Sequence, residues 1–141
     1  MKLLTKQQLF NLEIKYPEIK QFGEAVLFFY PTVEQHGWYN NPKVWKEISE
    51  KCRLTEDFMR EFQEYLNWHY ICRHQTLSED FIKEFQHQFN IGDWSAISYR
   101  QILTEDFMRE FKNKLDWEMI VRYQVLPYKF IIEMKKEGYI R

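Results

Sequence analysis

The nine residues LTEDFMREF occupy positions 54–62, and the same nine letters recur at 103–111. Each copy places a Thr directly before Glu-Asp-Phe. This order is typical of a helix start, because the hydroxyl caps free backbone N–H groups and the carboxylates favour the positive end of the helix dipole. The stretch therefore predicts the same helix start twice in one chain of 141 residues.

The repeated stretch belongs to a longer unit that occurs about four times. Each repeat begins at a Trp, and Ile, Leu, Phe and Glu follow three, nine, thirteen and sixteen residues after that Trp. The Trp residues of repeats 1 to 4 are Trp45, Trp68, Trp94 and Trp117. One insertion, in NIGDW at 90–94, lengthens the loop before repeat 3. A fixed spacing of this kind indicates one structural unit used several times.

Each repeat contains two predicted helices, which we call the Trp helix and the Phe helix. In the Phe helix, Phe58, Phe62 and Leu66 are four residues apart and are separated by polar residues, which predicts one apolar face. In the Trp helix, Trp and Ile at i and i+3 share a face. The residues expected to cap the Trp helices are Asn67, Asp93 and Asp116, and Pro127 starts the last Phe helix.

The pattern predicts an all-α fold of tandem short helix-pair repeats stacked side by side. A single helix pair cannot bury its apolar face, so neighbouring repeats must supply the missing surface. We expect residues 44–141 to form this repeat region and residues 1–43 to form an N-terminal cap segment, in one compact domain overall. Gln75, Gln101 and Gln124 stand shortly before the Leu of each turn, and we expect them to bond the backbone there.

The N-terminal cap segment lies outside the repeat. LTKQQLFNLEIKY at 4–16 contains a Thr-x-x-Gln capping box and predicts a helix that ends near Pro17. EAVLFFYP at 24–31 fits either a strand or a buried helix, and HGWYNNP at 36–42 predicts a loop. The fold of residues 17–43 is left open by the sequence.

Composition limits the class of protein. Aromatic residues make up 18% of the chain and hydrophobic residues 45%, which excludes intrinsic disorder. The formal net charge of -1 argues against a general phosphate binder and against an acidic nucleic-acid mimic. The longest apolar run, AVLFFY at 25–30, is far short of the ~20 residues that a membrane-spanning helix needs. With two cysteines and no signal-peptide pattern, we expect a soluble cytoplasmic protein.

Residues that could carry chemistry have a structural explanation. His69, Cys72 and His74 do not converge on one tetrahedral metal at helical spacing, and the other repeats lack these groups. The Glu-Asp pairs lie where a helix dipole favours acidic residues. There is no glycine-rich phosphate loop and no nucleophile elbow. We therefore expect no catalytic residue, no metal, no cofactor and no enzyme activity.

Positions that vary between repeats are better candidates for binding. Tyrosines and basic residues recur on the Trp helices outside the core positions, and stacking would align them in a column. Tyr and Arg concentrate binding energy at protein interfaces, and the same mixture could stack nucleic-acid bases, although these side chains could also complete the core or be solvated. The column comprises Tyr70, Arg73, His74, Tyr99, Arg100, Arg122 and Tyr123.

The last repeat carries a second candidate contact. Ile132 stands where the other repeats have Arg60, Lys83 and Arg109. A terminal helix of a repeat array normally has a polar outer face, so an apolar residue here predicts a contact. The N-terminal cap, a second copy in a homodimer, and another partner are the candidates for that contact.

The consensus L-S/T-E-D-F-I/M-x-E-F, followed by D/N-W-x-x-I and a Gln before the next Leu, resembles a short tandem repeat of functionally uncharacterised proteins from bacteriophages and large DNA viruses. The likeness covers residues 44–137. It implies a viral or mobile-element origin and a role in takeover of a bacterial host, acting in the host cytoplasm. The expected function is a protein-binding module that blocks a host protein or complex, such as a CRISPR effector or restriction complex, by occlusion. The alternatives are a single-stranded nucleic-acid binder and a virion or scaffold component.

Overall fold

The computed structural model describes residues 6–17 and 41–141. Every regular element in these ranges is a helix, so the all-α prediction is confirmed. The chain divides into two compact units, Met1–Gln75 and Thr76–Arg141. Within the described ranges, no helix is long and apolar enough to cross a membrane.

The described part of unit 1 contains four helices. They are α1 (Lys6–Lys15), α2 (Pro42–Lys51), α3 (Glu56–Glu61) and α4 (Trp68–His74). Here α2 and α4 are the Trp helices of repeats 1 and 2, and they pack side by side. The Phe helix of repeat 1 is α3.

Unit 2 continues the alternation of the two helix types. It contains α5 (Glu79–Glu84), a 3-10 turn (Gln86–Gln88), α6 (Ile91–Arg100), α7 (Glu105–Glu110), α8 (Trp117–Tyr123) and α9 (Tyr128–Lys136). The Trp helices of repeats 3 and 4, α6 and α8, again pack side by side. The remaining three α-helices are the Phe helices of repeats 2, 3 and 4.

The helix starts predicted for the repeated stretch are confirmed. Thr55, Ser78 and Thr104 each occupy the N-cap position, and each side-chain oxygen accepts a hydrogen bond from the backbone N–H of the following Phe. The donor–acceptor distances are 3.2, 3.1 and 3.2 Å. The two acidic residues fill the first turn of each helix, as its dipole favours.

The two copies of the nine-letter stretch build the same core contact in different units. In unit 1, Trp45 stacks on Phe62 with ring centroids 5.4 Å apart. In unit 2, Trp94 stacks on Phe111 at the same 5.4 Å. The stretch thus occurs twice because in each unit its last Phe packs on the Trp of the same repeat. The Ile and Phe positions of all repeats are buried: Ile48, Ile71, Ile97, Ile120, Phe58, Phe81, Phe107 and Phe130.

The Phe helices are shorter than the four-residue spacing predicts. The helix of repeat 1 ends at Glu61, and Phe62 is its C-cap. Leu66 is buried but belongs to the turn that leads to the next Trp helix. Apolar residues four apart can be buried on one side without a continuous helix, because a tight turn returns the chain to the same core.

The predicted caps of the Trp helices are correct in part. Asp116 caps α8 and accepts from the N–H of Met119 at 3.2 Å. Asn67 occupies the N-cap of α4 but makes no side-chain cap hydrogen bond. The prediction for Asp93 is wrong in position, because the insertion lets α6 begin earlier, at Ile91. Asn90 is its N-cap, and Asp93 completes a capping box from inside the helix.

The helix predicted for residues 4–16 is confirmed as α1, which ends at Lys15 before Pro17. Tyr16 is buried, and its ring lies 5.4 Å from that of Phe58 in an edge-to-face arrangement. Its hydroxyl donates a hydrogen bond to the carbonyl of Asp57 at 3.3 Å. The segment 24–31 and most of the predicted loop at 36–42 lie outside the described residues.

Candidate partner-binding face

The recurring glutamines bond backbone groups of a turn, as predicted, but the turn belongs to the preceding repeat and not to their own. In unit 1, Gln75 Oε1 accepts from the N–H of Leu54 at 2.9 Å. Gln75 Nε2 donates to the carbonyls of Ser49 at 2.9 Å and Cys52 at 2.7 Å. Each glutamine thus bonds the turn of the repeat before its own, an arrangement that we call the glutamine clasp.

The same clasp recurs in unit 2. Gln124 Nε2 donates to the carbonyls of Ser98 at 2.9 Å and Gln101 at 2.6 Å, and its Oε1 accepts from Leu103 N–H at 3.5 Å. Gln101 in turn accepts from Leu77 N–H at 2.9 Å. These bonds fix the register of consecutive Trp helices and so determine which surface residues become neighbours.

The unit 1 members of the predicted column are engaged by neighbours in their own unit. Tyr70 is half-buried, and its ring lies 6.0 Å from that of His74 in a stacked arrangement. Lys46 Nζ lies 5.0 Å from the centroid of the Tyr70 ring, and its interaction with Tyr70 raises the pKa of Lys46. Arg73 Nη1 donates to the carbonyl of His69 at 2.8 Å. This part of the column is a stabilised polar surface on α4.

The unit 2 members include an exposed tyrosine pair. Tyr99 on α6 and Tyr123 on α8 lie with ring centroids 5.7 Å apart. They remain 36% and 57% exposed, so the contact leaves much of both rings in solvent. Arg122 pairs with Glu118 at 3.0 Å, whereas the exposed Arg100 makes no ion pair with any described residue. The structure therefore brings together two tyrosines of the column, and the exposed Arg100 directly follows one of them in the chain.

Two aliphatic side chains at the same end of α6 and α8 were missed by the sequence reasoning. Ile102 is 94% exposed and Val125 is 100% exposed. Gln124, which directly precedes Val125, bonds the carbonyl of Gln101 and the N–H of Leu103. These are the residues before and after Ile102. The two exposed aliphatic residues therefore follow neighbouring helix ends. We call Tyr99, Tyr123, Ile102 and Val125 the Tyr-aliphatic face.

A comparison of the repeats could have found these two residues. Both stand eight residues after the Trp of their repeat, where repeats 1 and 2 have Arg53 and Thr76. Arg53 and Thr76 are exposed as well. The fold thus leaves this position in solvent in every repeat, and only repeats 3 and 4 place a large apolar residue there.

Ile132 lies on α9 and is 36% exposed. Its counterparts in unit 2 form ion pairs with the next repeat. Arg109 makes a two-point pair with Glu133, both N–O distances being 2.9 Å, and Lys83 Nζ lies 3.0 Å from Glu110. Ile132 therefore occupies a position that faces the following repeat.

The candidate metal and acid–base groups are dispersed or paired. Cys72 is buried, whereas His69 and His74 are exposed, and no group of three His, Cys, Asp or Glu in the described ranges could hold a metal ion. Glu105 and Asp106 both bond Arg109, and Glu79 bonds the Thr104 cap. The acidic pairs of unit 2 thus serve helix capping and ion pairing.

Comparison with known proteins gives no relative for this chain. No family model matches it, and neither a curated protein nor a solved structure does. The resemblance to viral repeat proteins therefore stays a prediction that is based on the repeat consensus.

Proposed function

We propose that the protein is a non-enzymatic protein-binding module that contacts its partner through the Tyr-aliphatic face of unit 2. One observation carries the proposal: two helices share an exposed tyrosine pair, and the turn after each of them holds an almost fully exposed aliphatic side chain where repeats 1 and 2 have Arg53 and Thr76. Exposed apolar side chains together with tyrosines are typical of surfaces that anchor protein partners.

The energetics favour a partner that covers the aliphatic residues. Burying a side chain such as Ile102 or Val125 stabilises a complex by about 1.5–3 kcal/mol, and in the free chain this gain is unrealised. Tyr99 and Tyr123 add large contact area at a low entropy cost, and Arg100 can donate to acceptors at the rim. The face combines apolar anchors with a polar edge.

A single-stranded nucleic acid is the second candidate, because Tyr99 and Tyr123 could stack bases and Arg100 could contact a phosphate. Ile102 and Val125 would add neither charge nor an aromatic surface to such a site. Arg122, the other nearby cation, already pairs with Glu118. These features favour a protein partner.

In this proposal the partner is a host factor, as the resemblance to repeat proteins of bacteriophages implies. The module would inhibit it by occlusion, with the rigid ends of α6 and α8 covering a functional surface. A defence nuclease, such as a CRISPR effector or a restriction complex, is the target class to test first.

The experiment compares three tagged proteins in bacterial lysate, each with and without nuclease treatment. The first is the natural chain, and the second carries Ile102→Thr and Val125→Thr, which copy the Thr found at this position in repeat 2. The control carries Ile91→Thr, since Ile91 is 91% exposed at the opposite end of α6. Mass spectrometry identifies and quantifies the bound proteins.

We expect a stoichiometric protein that survives nuclease, is lost with the double variant and is retained by the control. Purified target is then assayed for its own activity with increasing amounts of the protein, where inhibition is the expected result. Equal capture by all three proteins would exclude the Tyr-aliphatic face. Recovery of heterogeneous RNA or DNA, with binding that weakens steeply as salt rises, would establish the nucleic-acid alternative instead.

A further inference from the structure

Within each unit, the two Trp helices contact one another through a fixed set of positions. Counted from the Trp, the residues at plus one, plus four and plus five of one helix face the next. In α6, Ser95 Oγ donates to Asp116 at 2.8 Å, and Ser98 Oγ accepts from the Asp116 N–H at 2.9 Å. Tyr99 completes the face through its contact with Tyr123.

The same rule holds in unit 1. Lys46, at plus one in α2, lies over the Tyr70 ring, and Ser49, at plus four, accepts from the Asn67 N–H at 3.0 Å. The plus-four residue of the covered helix is fully buried in both units, as Ser49 in α2 and Ser98 in α6. This position therefore reports whether a Trp helix is covered.

The corresponding face of α8 is open. Val121, its plus-four residue, is 51% exposed. It belongs to a groove of about 680 Å³ that Trp117, Glu118, Val121 and Arg122 line from α8, and Tyr139, Ile140 and Arg141 from the C-terminal segment. The four α8 residues are the Trp and its plus-one, plus-four and plus-five positions. The groove thus lies on the side of α8 where, by the same positions, a following helix would pack.

The turn beside the groove lacks the glutamine clasp that the turns of repeats 1 and 3 have. In repeats 1 and 3, a glutamine of the following helix bonds one N–H and two carbonyls of the turn. The equivalent groups in repeat 4 are the N–H of Leu126 and the carbonyls of Val121 and Gln124. None of the three has a hydrogen-bond partner among the described residues. Together they form an acceptor–donor–acceptor set that fits a primary amide side chain.

The Phe helix of repeat 4 carries the same signature. In repeats 2 and 3 the residue that faces the following repeat is a cation paired with Glu110 or Glu133. In repeat 4 it is Ile132, which is partly exposed. An apolar residue at this position suits a partner surface that brings no carboxylate there.

We infer that this open edge is a second docking site, which takes a helix of a partner protein that ends in glutamine. The helix would lie in the groove along Val121, and its glutamine would bond Leu126 N–H and the carbonyls of Val121 and Gln124. A second copy of this chain is a poor occupant. The three glutamines that cap the C-terminal ends of its Trp helices are already engaged in clasps, and Cys52 stands at that position in repeat 1. The site adjoins the Tyr-aliphatic face at Val125, which lies between Gln124 and Leu126 in the chain, but it does not include Ile102.

The chain supplies the probe for this site. Repeats 1 and 3 have ten-residue Trp helices and repeats 2 and 4 have seven-residue ones, so a helix that packs on the seven-residue α8 is expected to resemble α6. A synthetic peptide of residues 90–103 contains the α6 capping box and Gln101. The control peptide carries Gln101→Glu, which keeps the size and one acceptor but loses the amide donors.

Binding is measured by fluorescence anisotropy of labelled peptide and by amide chemical shifts of the full chain. We expect saturable binding, shifts centred on Leu126 and Val121, and at least about tenfold weaker binding of the Gln101→Glu peptide. Val121→Glu in the full chain should abolish binding, whereas Ile102→Thr should leave it unchanged. The last comparison separates this site from the proposed function.

Three results would overturn the inference. They are the absence of saturable binding up to about 1 mM of a helix-constrained form of the peptide, equal affinity of the two peptides, and binding that persists in Val121→Glu. A fourth concerns the occupant: if the protein alone sediments as a dimer and Val121→Glu makes it monomeric, the groove receives a second copy rather than a partner protein.

Discussion

The side chain of Gln75 occupies the turn that contains Leu54, 21 residues earlier in the chain. Its oxygen accepts the Leu54 N–H, and its nitrogen donates to two carbonyls of the same turn. One buried amide therefore satisfies three backbone groups that would otherwise lose hydrogen bonds on burial. The clasp makes the turn of one repeat dependent on the helix of the next.

This dependence predicts a large cost for Gln75→Ala. Three backbone groups lose their partner in a nearly dry turn, so we expect the free energy of unfolding to fall by about 2–4 kcal/mol. Urea denaturation followed by tryptophan fluorescence measures the change. The matched control is Gln124→Ala, at a half-buried clasp whose Leu103 bond is long at 3.5 Å, where we expect a loss of about 1 kcal/mol. Equal effects at the two sites would contradict the role of burial.

The repeated stretch predicts a second stability effect, at the cap of α7. Thr104 Oγ1 accepts from Phe107 N–H at 3.2 Å and donates to Glu79 at 3.1 Å. Thr104→Ala removes both bonds, so we expect a loss of about 1 kcal/mol in the free energy of unfolding. Thr104→Ser is the control, because repeat 2 uses Ser78 at the same position with a cap distance of 3.1 Å. A serine variant as unstable as the alanine variant would show that the hydroxyl is not the stabilising group.

The sequence predicted the helices better than it predicted their ends. Caps and spacing located the Phe helices correctly, since Thr55 and Phe58 carry local signals that need no tertiary information. The helix end at Glu61 was missed, because Leu66 is buried whether the chain continues as a helix or turns. The insertion before Trp94 was read as a loop, yet Asn90 and Asp93 form a capping box that lengthens α6.

Only the tyrosines of the Tyr-aliphatic face were predicted, because the exposure of its two aliphatic residues depends on tertiary contacts. Tyr99 and Tyr123 follow from their position on the Trp helices, outside the core. Ile102 and Val125 stand in turns, where an aliphatic residue before a core Leu resembles core sequence. Their exposure follows from the clasp, which directs Gln101 and Gln124 into the protein and leaves the next side chain in solvent. That alternation depends on tertiary hydrogen bonds and could not be derived from periodicity.

The ion pair between α7 and α9 predicts a pH dependence. The hydrogen bonds from Arg109 lower the pKa of Glu133 below its ordinary value of 4.5. A carboxyl group whose pKa is lowered by folding contributes stability above its unfolded pKa and loses it as the pH falls through the folded pKa. We therefore expect the natural chain to be more stable than Glu133→Gln at neutral pH and equal to it at a pH well below 4.5.

The midpoints of urea denaturation of the natural chain and of Glu133→Gln, each measured from neutral pH to well below pH 4.5, give the stability difference. The other carboxylates are the same in both proteins, so their contributions cancel. The effect should be modest, because both side chains are more than a third exposed, and it should weaken as salt is added. A stability difference that does not change with pH would mean that Glu133 acts through packing and not through its charge. A carboxyl titration of Glu133 by NMR gives an independent check.

The two cysteines predict an ordered pattern of chemical labelling. Cys72 is fully buried, whereas Cys52 is half-buried and burial raises its pKa above the ordinary value of 9.0. A thiol with a raised pKa holds less thiolate at a given pH, and only the thiolate reacts with iodoacetamide. We expect Cys52 to be labelled more slowly in the folded protein than in urea, with a rate that rises with pH. Cys72 should react only on unfolding, and peptide mass spectrometry distinguishes the two sites. The variant Cys52→Ser should therefore show no labelling while folded; labelling of Cys72 at the rate of Cys52 would mean that α4 separates readily from the core of unit 1.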